Sequence, residues 1–129
     1  MEVIKEEVAN YHQLAIVEKY EAHVIPYVMK RVRNVPREYA AERTMIKQCL
    51  HGQVGLFNIA GKSNQASKLY DADAGLATLR YWLRFMVSKD IKALTPKQHD
   101  QALIRVAEVG GMLNKWISGH GKRRGQHGN

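Results

Sequence analysis

Two arginines four residues apart, Arg80 and Arg84, are the only charges in the stretch AGLATLRYWLRFMV at 74–87. At helical spacing i, i+4 they share one face, about 6 Å apart at Cβ. A guanidinium is always charged and presents a planar fork of donors, so such a pair can grip phosphate or carboxylate oxygens two at a time. The same pair can instead close ion pairs with Asp or Glu on a neighbouring helix or subunit. Spacing alone leaves both readings open.

The other reactive residue types do not combine into a site. GKS at 61–63 has the ending of a phosphate-binding loop, but that loop needs glycine at position 56, where Leu56 stands. It must also follow a strand. The six histidines, at 12, 23, 51, 99, 120 and 127, show neither His-Glu-x-x-His nor Glu-x-x-His spacing. Cys49 is the single cysteine, so a zinc site or an intrachain disulfide is not expected. With Met45 and Ile46 it reads as a small core residue. Glu6, Glu7, Glu18 and Glu21 read as a solvated helix face. The expectation is no metal, no cofactor, no catalytic residue and no enzyme.

The elements that must position the arginines read as helices throughout. Prolines stand only at 26, 36 and 96. A first helix carries Ile4, Val8, Tyr11, Leu14, Val17, Tyr20, Val24, Val28 and Val32 at steps of three and four, with a kink or early end expected at Pro26. A second begins near NVPRE, with Asn34 as the expected cap and Pro36 in the first turn, and follows Tyr39, Arg43, Ile46, Leu50, Gln53, Phe57 and Ala60. GKSN at 61–64 is expected to end it, with Gly61 in a left-handed conformation. The third spans about 65–88. In TPKQ at 95–98, Thr95, Pro96 and Gln98 form a capping-box start for the fourth, which runs along Leu103, Val106, Gly110, Leu113 and Ile117. The fold class is all-α: an up-down-up-down four-helix bundle over 1–118, followed by a flexible, basic, Gly-rich tail over 119–129.

The third helix has two apolar sides. Leu69, Ala72, Leu76, Leu79, Leu83 and Met86 must face the core. Tyr70, Ala74, Ala77, Tyr81 and Phe85 lie roughly opposite and would be exposed in a monomer, so they read as an oligomer interface. Arg80 and Arg84 sit between the two.

The chain has 129 residues, enough for one domain, and a formal net charge of +8. An excess of that size points to an anionic partner. Residues 1–35 balance, so the surplus lies beyond them, and the tail holds Lys122, Arg123 and Arg124 with no acid. Such a tail can hold a nucleic-acid backbone by counterion release. The N-terminus MEVIKEEV has no signal-peptide character and no segment is long enough to span a membrane, so a cytoplasmic protein is expected.

The stretch GQVGLFNIAGKSNQASKLYDADAGLATLRYWLRF at 52–85 closely resembles the accessory variability determinant (Avd) family of diversity-generating retroelements. The likeness extends to VEKYE at 17–21, VPRE at 35–38, TP at 95–96 and VAEVG at 106–110. The resemblance implies a four-helix bundle assembled as a homopentameric barrel. It further implies a non-catalytic protein that binds the retroelement's reverse transcriptase and its template RNA, with DNA as an optional ligand, to support mutagenic cDNA synthesis. Proteins encoded in large-subunit rRNA intervening sequences are the nearest alternative, a structural or nucleic-acid-binding bundle with no polymerase partner. By motif, the resemblance puts Arg80 and Arg84 first as binding residues, Lys62 and Lys68 second, and the tail residues Lys122, Arg123 and Arg124 third. Segments 22–34 and 86–94 are the least family-like.

Overall fold

The computed structural model describes the backbone of residues 2–63 and 65–127 and the side chains of 11–63 and 65–120. Helix α1 spans Glu2–His23 and α2 spans Ile25–Val32. A 3-10 turn at Arg37–Tyr39 leads into α3, Ala40–Ser63; α4 covers Ala66–Val87 and α5 covers Pro96–His127. No strand occurs among the described residues.

Pro26 has no N–H to donate, and the helix breaks just ahead of it at Val24. The ladder resumes at once, with Val24 N–H donating to Tyr20 O at 3.0 Å and Val28 N–H to Val24 O at 3.1 Å. Ile16, Tyr20, Val24, Val28 and Val32 are all buried across the break. Thus α1 and α2 act as one kinked arm, and with α3, α4 and α5 they make the expected four-helix bundle. Each arm packs on its neighbours in chain order, and α5 closes the ring against α1.

Three local expectations need correction. The first stripe is out of phase toward its N-terminal end: Ile16 is buried, while Tyr11 is 70% and Leu14 60% exposed. Repeated steps of three drift by about 60° per step around a helix, which carries those two residues off the core face. Asn34 is not a cap; its Nδ2 donates to Ala93 O at 3.3 Å across the bundle end. The segment leading into α3 is held instead by Arg43, whose Nε donates to Val35 O at 2.7 Å and Nη2 to Arg33 O at 2.8 Å.

Gly61 does not end α3 or adopt a left-handed conformation. It is buried, and a Cβ there would stand 2.7 Å from Gln13 Cδ, so its smallness makes room for a side chain of α1. Gln13 Nε2 then donates to Asn58 Oδ1 at 2.7 Å. The GKS motif is thereby the end of a packed helix and not a phosphate loop.

The start of α5 is as expected. Thr95 N–H donates to Gln98 Oε1 at 3.0 Å, and Gln98 N–H donates to Thr95 Oγ1 at 3.1 Å. Between α4 and α5, Ile91, Ala93 and Leu94 are buried and Lys92 takes a positive φ of 51°. Helix α5 runs on through His127, across most of the stretch 119–129 expected as a flexible tail; residues 128–129 and the side chains from 121 on lie outside the described residues.

Candidate nucleic-acid interface

The core side of α4 is as read: Leu69, Ala72, Leu76, Leu79, Leu83 and Met86 are all buried, joined by Trp82. On the other side Tyr70 is 59% and Tyr81 51% exposed, and Ala74 and Ala77 are exposed with them. Phe85 is half-buried. It stacks edge-on against Trp82 at 5.5 Å and Tyr39 at 5.9 Å, so part of its surface is already taken within the chain.

Arg80 is half-buried and Arg84 exposed on the flank between the two sides. The Arg80 guanidinium lies over the backbone of α5 at Gly110, where an added Cβ would be 3.4 Å from Nη2. Neither arginine has an ion pair or hydrogen bond among the described residues, where the ion pairs are Lys19–Glu108 at 3.0 Å and Lys68–Asp71 at 3.8 Å. The intrachain ion-pair reading of Arg80 and Arg84 therefore has no partner in the described bundle. The two forks keep all their donors for an outside acceptor.

The second-choice lysines differ from each other. Lys62 is exposed at the end of α3, beside a shallow groove of about 540 Å³ that it shares with Gln13, Asn58, Ile59 and Ser63. Lys68 is half-exposed and already faces Asp71, which offsets its charge locally. The tail residues Lys122, Arg123 and Arg124 lie outside the described side chains.

Among the described residues no three His, Cys, Asp or Glu side chains converge as a metal site. His12 stacks on Trp116 at 5.8 Å, a packing role. Cys49 is half-buried and burial pushes its thiol pKa up, which keeps it protonated and slow as a nucleophile. Met45 beside it is exposed. Tyr20 is buried and donates its hydroxyl to Leu50 O; burial, with Cys49 nearby, raises its pKa strongly, so it stays a neutral donor.

One cluster is missed by sequence reading. The guanidinium carbons of Arg31 and Arg105 stand 3.9 Å and 4.5 Å from the centroid of the same ring, Tyr27. Arg31 and Tyr27 share a helix face at i, i+4, but Arg105 comes from another arm, so no local spacing signals the group.

The described residues thus define an all-helical bundle with an exposed aromatic face and unpaired arginines beside it, the features of a binding module. A family model described as bAvd-like matches residues 14–119, and the chain belongs to that family. No curated protein matches the sequence. No helix among the described residues is long and apolar enough to cross a membrane.

Proposed function

We propose that this chain is the non-enzymatic accessory protein of a diversity-generating retroelement, a cytoplasmic adaptor that binds the reverse transcriptase and its template RNA during mutagenic cDNA synthesis. The observation that carries the reading is the pair Arg80 and Arg84, one helical turn apart with no acceptor among the described residues. Added to a net charge of +8, it supports phosphate binding with little base preference. The exposed face of Tyr70, Ala74, Ala77 and Tyr81, with the edge of Phe85, supports self-association, as five copies if the family resemblance carries over.

The test is a titration of labelled RNA against the parent and Arg80→Glu/Arg84→Glu over a salt series, with light scattering on both. Loss of affinity and of salt slope with the assembly intact supports the adaptor. Unchanged RNA binding with a broken assembly makes the arginines part of the scaffold. Failure to co-purify with a cognate polymerase at moderate salt counts against the polymerase half of the proposal.

A further inference from the structure

We infer that Tyr27, Arg31 and Arg105 form a second anion site, at the junction of α2 and α5, that holds the phosphodiester backbone of single-stranded nucleic acid. The inference rests on the nucleic-acid reading above but on different residues, of which Tyr27 and Arg31 lie in a segment least like the family and Arg105 does not. Two guanidiniums stacked on one ring are each attracted to its face and repel one another. No carboxylate pairs with either. Arg105 and His23 help to hold the carboxyl of Glu108, three residues beyond Arg105, below its ordinary pKa, but that carboxylate is bound to Lys19 at 3.0 Å.

Each arginine spends one donor on the backbone near the α1–α2 break. Arg31 Nη1 donates to Tyr27 O at 2.7 Å and Arg105 Nη1 to His23 O at 3.2 Å. The Nε–H groups of both are buried and have no acceptor. Unpaired buried donors and unneutralised like charges are both destabilising. An anion seated against the outer Nη edges of the two forks offsets their charge and supplies acceptors to the remaining Nη–H groups, while the Nε–H groups stay buried behind them. Lys30 and Arg33, on and just after α2, are exposed and carry the same sign.

The chemistry favours a polyanion over an acidic protein. A protein interface needs large apolar anchors that can be desolvated. Among the described residues the exposed large hydrophobics are Tyr11, Leu14, Met45, Ile59, Tyr70, Tyr81 and Ile104; none lies on α2, and Ile104, beside Arg105 on α5, is a single anchor. Since arginines occupy the Tyr27 ring, the site grips backbone and reads no base.

The probe is a short mixed-sequence single-stranded RNA, titrated over a salt series against the parent, Arg31→Gln/Arg105→Gln and Arg31→Lys/Arg105→Lys. Nε–H resonances of ¹⁵N-labelled parent are followed in parallel. The glutamine variant is expected to bind roughly tenfold more weakly at about 0.1 M salt. Its salt slope should fall by about 1.4, two single-strand contacts at about 0.7 each. The lysine variant should regain the slope, because it keeps the charge, and should lack part of the affinity, because it loses the planar fork. In the parent, the Nε–H signals that vanish in the lysine variant should shift saturably with RNA. RNA binding that is indifferent to the glutamine variant, with those signals unmoved, overturns this site alone. Equal shifts with polyglutamate at the same salt overturn it in favour of an acidic protein surface. A parent that binds no RNA even at low salt overturns the functional proposal and this site together.

Discussion

The flank of α4 and the α2–α5 junction both present a pair of arginines, but they hold them differently. Arg80 and Arg84 are neighbours on one helix and touch no acceptor among the described residues. Arg31 and Arg105 come from different arms, meet on Tyr27, and each donates to a main-chain carbonyl. The first pair makes no hydrogen bond among the described residues, although Arg80 lies over α5 at Gly110, and the second is built into a joint of the fold. Charge placed by helix period alone keeps its donors unspent within the described bundle, whereas charge gathered by packing spends part of them on the fold.

The largest expected difference is in RNA affinity. Arg80→Glu/Arg84→Glu reverses two exposed charges and should weaken binding by about a hundredfold at low salt, against roughly tenfold for Arg31→Gln/Arg105→Gln. Equal losses from the two variants would erase the distinction between the sites. Stability should rank the other way. Arg31→Ala/Arg105→Ala removes two backbone hydrogen bonds and two stacking contacts, so urea unfolding should show a loss of about 2 kcal/mol. Arg80→Ala/Arg84→Ala should stay within about 0.5 kcal/mol of the parent when the protein is monomeric. A larger loss would mean that Arg80 packs on α5 as a structural residue.

Gly110→Ala sharpens that point. The added Cβ would make ordinary contact with Arg80 at 3.4 Å, and alanine has the better helix propensity, so the melting temperature should rise slightly, by about 0.5 kcal/mol in stability. The smallest effect is expected from Glu108→Gln. The Lys19 hydrogen bond and charge hold the Glu108 carboxyl below its ordinary pKa. A depressed carboxylate contributes stability above its unfolded pKa and loses that contribution as pH falls through its folded value. Glu108→Gln should therefore remove a weak acid-side slope below about pH 5 in a pH series of melts, leaving the variant slightly less stable than the parent at pH 7 and equal to it in acid. It should also raise RNA affinity at the α2–α5 site by about twofold, because a nearby negative charge is gone. No change in affinity would place Glu108 outside the field of that site.

Much of the bundle was legible in the chain because helix starts and core stripes are local signals. Thr95 and Gln98 formed the capping box that TPKQ implies, and Pro26 broke the first arm where its missing N–H required. The two sides of α4 followed from counting residues at 100° steps. Errors arose where the deciding contact was distant. Gly61 looked like a helix end until Gln13 was seen to fill the space beside it, and Asn34 looked like a cap until Ala93 O was found to accept its amide.

By itself, the sequence determined the helical period, the arm boundaries near proline, the positive charge and the spacing of Arg80 and Arg84, because each depends on residues within a few positions of one another. Only the tertiary structure decided that these two arginines find no acceptor inside the bundle, and that Arg105 meets Arg31 on the Tyr27 ring. The reason is that the supply of acceptors, and the company a charge keeps, depend on how arms far apart in the chain pack together.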